Sequence, residues 1–264
     1  MLSAITRAVS RSIDRCELTH LARTPIDPVL VRQQHDRYER SLSDAGCAVR
    51  RLPADESMPD AVFVEDVAIV FDEVAVIARP GAESRRGETP AVVGALENLR
   101  PIARIADPAT LDGGDVLVVG RDVFVGRSRR TNHAGIDQLR QILMPWKYSV
   151  RAMDVTRCLH LKSAVTCVGD GLVLINPEWV RSDAFAGLGC ISVDPSEPSA
   201  ANALRIGNRL IYPKAFTRTR RLLERHGLYV RAVDVSELAK AEGGVTCCSL
   251  VFNSKTPGDT TDAA

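Results

Sequence analysis

The chain has 264 residues, of which 45% are apolar and 25% charged, and it carries a formal net charge of +1. That length buries a substantial core without staples, and a near-neutral balance free of like-charge blocks gives no case for a nucleic-acid surface. No apolar run approaches membrane-spanning length and the N-terminus shows no long apolar leader, so a soluble cytoplasmic protein with no membrane partner is expected.

The first predicted element is a helix from Pro28 to Ala45, followed by a strand from Ala48 to Leu52. A hairpin follows over Ala61 to Pro80, turning near Asp72-Glu73, then a helix over Thr89 to Leu99 and a strand over Pro101 to Ile105. The next hairpin covers Asp115 to Gly126, turning at Gly120-Arg121-Asp122. Behind it come a helix from His133 to Leu143 and a strand from Ser149 to Met153. A third hairpin spans Ala164 to Pro177 with Gly169-Asp170-Gly171 at its tip, and the helical signal after it, around Trp179 to Phe185, is weak. The fourth covers Ala203 to Pro213 with Gly207-Asn208, and leads to a helix over Phe216 to His226 and a strand over Tyr229 to Val233. Turn residues between apolar runs make hairpins, and apolar residues at three- and four-residue spacing make the helices.

A β-β-α-β unit therefore recurs about five times at periods of roughly 40 to 55 residues, a range typical of repeat architectures. A ring of such units is a closed, propeller-like array with one functional site at its axis, and it argues against a doubly wound sheet. The end of the chain, Ser254 to Ala264, reads as a disordered, dispensable tail.

The chemistry-bearing residues fall between these elements. Val62 to Phe71 reads as an apolar strand that carries Glu65 and Asp66 side by side, with Asp60 just upstream. Burying unpaired carboxylates costs several kcal/mol, so such a pair asks for a cationic partner, and a guanidinium fits best because its N–H fork matches carboxylate oxygens. The plainer reading is a strand end reaching solvent or a structural arginine.

The seven cysteines show no C-x-x-C spacing and suggest neither a disulfide framework nor a structural zinc site. Two of them, Cys247 and Cys248, open an expected strand in Gly243-Gly244-Val245-Thr246-Cys247-Cys248-Ser249, so at most one faces a given site. A buried structural pair is the commoner reading. Leu159-His160-Leu161-Lys162-Ser163 supplies the one histidine outside a polar or helical setting, and a cysteine nucleophile needs such a base or electropositive neighbour. Leu111-Asp112-Gly113-Gly114-Asp115 is most simply a tight loop, but it can also place Asp112 against an imidazole. No phosphate-binding or dinucleotide fingerprint occurs.

These pieces together resemble the dimethylarginine dimethylaminohydrolases, within the guanidino-group-modifying enzymes that include arginine deiminases and amidinotransferases. The matching stretches are PDAVFVEDVA, RPGAESRRGE, LDGGDVL, Arg130-Thr131-Asn132, LHLKS, Ala200-Ala201-Asn202 and GGVTCCS, in family order over nearly the whole chain. The resemblance implies a five-bladed α/β propeller, or pentein, of repeated ββαβ units around a central active site. It implies one catalytic domain over residues 1–253 and a tail over 254–264. It gives Cys247 the nucleophile position, His160 that of the general acid/base and Asp112 that of its supporting carboxylate, where some relatives carry a longer Glu. Asp66, with Asp60 and Glu65, matches groups lining a guanidinium pocket. Arg85 and Arg130 match the pair that binds the substrate carboxylate, Leu18 a residue of the covering loop, and Ala241 a backbone contact to substrate.

The implied reaction is hydrolysis of methylated arginines to citrulline through a covalent thiouronium, with no metal and no organic cofactor. The partner is a small guanidino compound rather than a nucleic acid or membrane, and the sequence leaves room for a homodimer. An arginine deiminase is the nearest alternative, although those enzymes usually carry an inserted helical region not seen here. A non-catalytic propeller, like the archaeal and eukaryotic ribosome anti-association factor, has no need of Cys247, His160 and Asp112 together.

Overall fold

The computed structural model describes residues 1–254, so the expected tail lies outside the described residues except for Ser254. The chain opens with β1 (Leu2–Arg7), then α1 (Pro28–Asp44) and β2 (Ala48–Leu52), which runs parallel to β1. The side chain of Asp27 caps α1 by accepting the N–H groups of Val29 and Leu30 at 2.8 and 2.9 Å, and Pro28 occupies the first turn, where its missing N–H costs nothing. Val31, His35, Tyr38 and Leu42 recur on one face of the helix and are buried.

The repeat then unfolds as the apolar pattern dictates. An antiparallel pair β3 (Ala68–Val70) and β4 (Ala75–Ile77) is followed by α2 (Thr89–Leu96) and by β5 (Ile102–Arg104), parallel to β4. β6 (Val116–Val119), β7 (Asp122–Arg127), α3 (His133–Leu143) and β8 (Ser149–Asp154) repeat the arrangement. The third unit has a short α4 (Leu161–Ala164) ahead of β9 (Val165–Gly169) and β10 (Leu172–Ile175), and ends in β11 (Gly189–Ser192). The fourth consists of β12 (Leu204–Ile206), β13 (Arg209–Pro213), α5 (Thr217–Arg225) and β14 (Tyr229–Val233), with α6 (Ser236–Ala239) behind it. Finally β15 (Leu250–Asn253) returns antiparallel to β1, so the two ends of the described chain share one sheet. Among the described residues the result is five three-stranded sheets. Their first strands touch across sheet boundaries, β15 with β3, β6 with β9 and β9 with β12, as expected of a five-bladed α/β propeller. Among the described residues no helix is long and apolar enough to cross a membrane.

Two local expectations are corrected. Val62 to Phe71 is not one strand, because Val64–Val67 forms a 3₁₀ turn and pairing begins only at Ala68. The turn directs Glu65 and Asp66 inward, where each meets a cation, which extended backbone with alternating faces would not allow for adjacent residues. Cys247 and Cys248 likewise lie in a turn rather than at a strand start. That turn rests on α1, because the Tyr38 hydroxyl donates to the Val245 carbonyl at 2.8 Å and shares a 2.7 Å hydrogen bond with Ser249 Oγ. The weak helical signal around Trp179 to Phe185 corresponds to a 3₁₀ turn, Ser182–Phe185.

The α1 face also carries a buried titratable group. His35 is 1% exposed and its Nε2 has no hydrogen-bond partner. Burial pushes its pKa down from 6.5 to about 4, although Glu39 pulls the other way. Between those two values the unfolded chain binds a proton that the folded protein refuses, so stability declines as pH falls from about 6.5 to about 4 and this loss is complete below. The lost stability is on the order of 3 kcal/mol. Chemical denaturation of His35→Phe at pH 7 and pH 4.5 should show a drop smaller than the parent's by that order, and equal drops would remove His35 as the cause.

Candidate active site

The site is assembled where turns from different repeats meet at the propeller axis. Asp112 precedes the 3₁₀ turn Gly113–Asp115 and is fully buried. Its Oδ1 accepts the Gly81 N–H at 2.8 Å, its own N–H donates to Thr131 Oγ1 at 3.1 Å, and its Oδ2 lies 3.1 Å from His160 Nε2. The shorter aspartate side chain thus reaches the imidazole. The two glycines are required by space. A Cβ on Gly113 would stand 2.0 Å from the Glu65 carbonyl oxygen, and one on Gly114 would stand 2.6 Å from His160 Nδ1 and 2.7 Å from Asp66 Oδ1.

His160 immediately precedes α4 and is 4% exposed. Its Nδ1 lies 3.7 Å from Asp66 Oδ1. Burial alone would lower its pKa, but the carboxylates of Asp66, Asp112 and Asp115 outweigh burial and raise it to about 9. Asp115, itself pushed up to about 6 by burial, fixes the start of α4 by accepting the Leu161 N–H at 2.9 Å.

The two carboxylates of the 3₁₀ turn separate. Asp66 Oδ2 accepts from Arg85 Nη1 at 2.6 Å, while the rest of that guanidinium is held by Glu88 at 2.8 and 3.0 Å and by the Phe63 carbonyl at 3.1 Å. Glu65 accepts from Lys162 Nζ at 2.5 Å and from the Thr246 hydroxyl at 2.7 Å, and its N–H donates to the Cys247 carbonyl at 3.1 Å. Cys247 is half-buried, and the Gly244 N–H donates to its Sγ at 3.2 Å. Burial, helped by Glu65 and Asp66, pushes this thiol up to about 12. Cys248 is wholly buried in the α1 core cluster.

Two cavities meet at Cys247 and His160. The smaller, about 20 Å³, is lined by Asp60, Asp66, Arg85, Arg130 and Ala241 as well as by that pair. The larger, about 350 Å³, is bordered by Glu65, Lys162, Trp179 and Phe216. Of the residues singled out from sequence, seven therefore surround the small cavity, Glu65 lines the large one, and Asp112 stands behind His160. Leu18 lines neither and packs against the α1 core cluster, while its neighbours Glu17, His20 and Leu21 reach the cavities.

Sequence reasoning assigned nothing to Lys162, Asn202 or Thr246, which bond beneath the cysteine turn, although all three lie inside the quoted motifs. It also missed Glu88, for which the three-residue spacing from Arg85 was the available signal, and Glu242. The latter sits at φ +57° and its carboxylate accepts the consecutive N–H groups of Thr19, His20 and Leu21 at 3.0, 2.5 and 2.6 Å. Ligand atoms of Asp66, Asp112 and His160 come within 4.8 Å of one another, close enough for a metal ion. Asp66 is already engaged by Arg85, and Asp112 by His160.

A cysteine and a carboxylate-backed histidine at the axis of a five-bladed α/β propeller, beside buried acids and arginines, define the class of guanidino-modifying enzymes. The family model "N,N dimethylarginine dimethylhydrolase, eukaryotic" matches residues 24–186. The chain is 36% identical to N(G),N(G)-dimethylarginine dimethylaminohydrolase of Pseudomonas aeruginosa, over 94% of this chain and 98% of that one. It is 39% identical to the enzyme of the same name from Streptomyces coelicolor, over 94% and 95%. It belongs to the dimethylarginine dimethylaminohydrolase family. The solved Pseudomonas enzyme, as a cysteine-to-serine mutant complexed with citrulline, superposes with a TM-score of 0.91 at 35% identity, over 96% of this chain and 100% of that one. The N-terminal domain of ArgZ, a cyanobacterial arginine dihydrolase, shares the fold with a TM-score of 0.85 at 17% identity, over 95% and 98%.

Proposed function

We propose that this protein hydrolyses asymmetric dimethylarginine and monomethylarginine to citrulline, releasing dimethylamine or methylamine. The observation that carries this reading is the placement of a cysteine and a carboxylate-backed histidine on a cavity lined by two arginines and two aspartates. We assign the substrate carboxylate to Arg130 and Arg85 and the α-amino end to Asp60 and the Ala241 backbone. Arg130 has no carboxylate partner among the described residues and spends one N–H on Thr19 Oγ1 at 3.1 Å, so its remaining donors are free. The guanidinium then lies between Asp66 and Cys247, its charge offsetting the local excess of carboxylates.

Charge balance sets the order of steps. With His160 near 9 and Cys247 near 12, the resting pair at neutral pH is imidazolium and thiol. A guanidinium entering beside the sulfur favours the thiolate, and the thiol proton passes to solvent. The sulfur bonds to the guanidinium carbon, the bond to the methylated nitrogen breaks, and His160 donates its proton to the leaving amine. Neutral His160 then takes a proton from water as its oxygen adds to the thiouronium. The carbon–sulfur bond then breaks, and the departing sulfur takes up the proton of the added hydroxyl, which yields citrulline and regenerates the Cys247 thiol. Asp112 holds the imidazole's orientation through both halves. We place this activity in one catalytic unit spanning residues 1–253, working in the cytoplasm.

The test is citrulline release from asymmetric dimethylarginine and from plain arginine, assayed side by side. Turnover of the methylated compound is expected. Turnover of arginine alone would make the protein a deiminase, and release from neither would favour a binding role.

A further inference from the structure

Within the run Ala200-Ala201-Asn202, Asn202 occupies a specific position. It is 8% exposed, and its side chain reaches both turns that carry the reactive groups. Nδ2 donates to the carbonyl of Lys162, two residues past His160, at 3.0 Å. The same nitrogen donates to Thr246 Oγ1 at 3.0 Å, and Oδ1 accepts the Thr246 N–H at 3.2 Å, immediately before Cys247. The Thr246 hydroxyl in turn donates a hydrogen bond to Glu65 Oε2 at 2.7 Å. The amide also packs against Gly244, where a Cβ would stand 2.4 Å from Asn202 Oδ1, and Gly244 is the residue whose N–H donates to Cys247 Sγ.

We propose that Asn202 is a positioning residue that locks the turn bearing Cys247 against the turn bearing His160. The inference rests on the roles assigned above to those two residues. Only a primary amide suits the place. It must donate twice, to a carbonyl and a hydroxyl, and accept once from a backbone N–H, all from one planar group. Aspartate matches its size but presents an oxygen to the Lys162 carbonyl, and leucine removes all three of these hydrogen bonds. Both N–H groups of the amide are committed to the protein, so Asn202 acts through the geometry of the turns rather than by binding substrate. Misplacing a nucleophile by about 1 Å is enough to lower the rate by about two orders of magnitude.

The variants that test this are Asn202→Asp and Asn202→Ala, assayed with asymmetric dimethylarginine and by the pH dependence of Cys247 alkylation with iodoacetamide. Expected results are a kcat lower by about 100-fold, a KM within about threefold of the parent, and a folded protein by thermal melting. In Asn202→Ala the alkylation profile should also move to higher pH, because Gly244 no longer holds its N–H on the sulfur. A purely structural asparagine would instead lower the melting temperature while the surviving folded protein kept its kcat and its alkylation profile, and that result would overturn the proposal. If Asn202→Ala does not fold, the isosteric Asn202→Asp decides on kcat and KM alone. If the parent itself releases no citrulline, the functional reading falls, and an unshifted alkylation profile in Asn202→Ala then overturns the positioning role as well.

Discussion

Cys247→Ser is expected to lower citrulline release by roughly a thousandfold or more, about 4 kcal/mol in the barrier, whereas Cys248→Ser keeps most of it. The two sulfurs are neighbours in sequence but not in environment. Cys247 borders both cavities and receives the Gly244 N–H, while Cys248 is fully buried among core residues and lies 3.7 Å from the Gly244 carbonyl. A hydroxyl at position 247 fits the space but cannot reach the anionic form that a thiol reaches beside a guanidinium. A hydroxyl at position 248 can still donate to that carbonyl, so its effect falls on stability. Steady-state rates of the two variants measured in parallel decide the matter, and equal losses would undo the assignment of Cys247.

His160→Gly is expected to cost about 10² to 10⁴ in kcat, the range for a positioned general acid/base, while leaving substrate affinity largely intact. Its titration gives the effect a pH signature. With His160 near 9, the parent rate should fall as pH rises through about 9, when the proton needed by the leaving amine is gone, and Asp112→Asn should move that fall to lower pH. The same shift bears on stability. Because the folded pKa lies above the ordinary 6.5, the stabilisation it brings is complete below about 6.5 and is lost as pH rises through about 9. An alkaline limb unmoved in Asp112→Asn would show that this carboxylate does not tune the imidazole.

Much of the architecture was legible because each repeat obeys local rules. The hairpins turning at Gly120-Arg121 and Gly169 to Gly171, and the helices α1 and α3, fell where turn residues and apolar periodicity put them. Less legible were β1, β15 and β11. The first two pair across nearly the whole length of the chain, Leu2 with Asn253, and β11 is a short, mostly exposed edge of glycine, cysteine, isoleucine and serine with little pattern to read. The error at Val62 to Phe71 has the same origin. An apolar run reads as a strand by composition, but the partners of Glu65 and Asp66, Lys162 and Arg85, lie far away in sequence or out of pattern, and they stabilise a 3₁₀ turn instead.

The sequence by itself determined the repeat, the motif set and with it the family, because hydrophobic period and ordered motifs are properties of a linear string. Tertiary structure alone decided that Asp112 is long enough to reach His160 and that Asn202 ties the two reactive turns together. These depend on distances between residues up to 48 positions apart. It decided the charge states too. An imidazole raised to about 9 and a thiol raised to about 12 arise from burial and from carboxylates gathered around them, and neither exists until the chain has closed its ring.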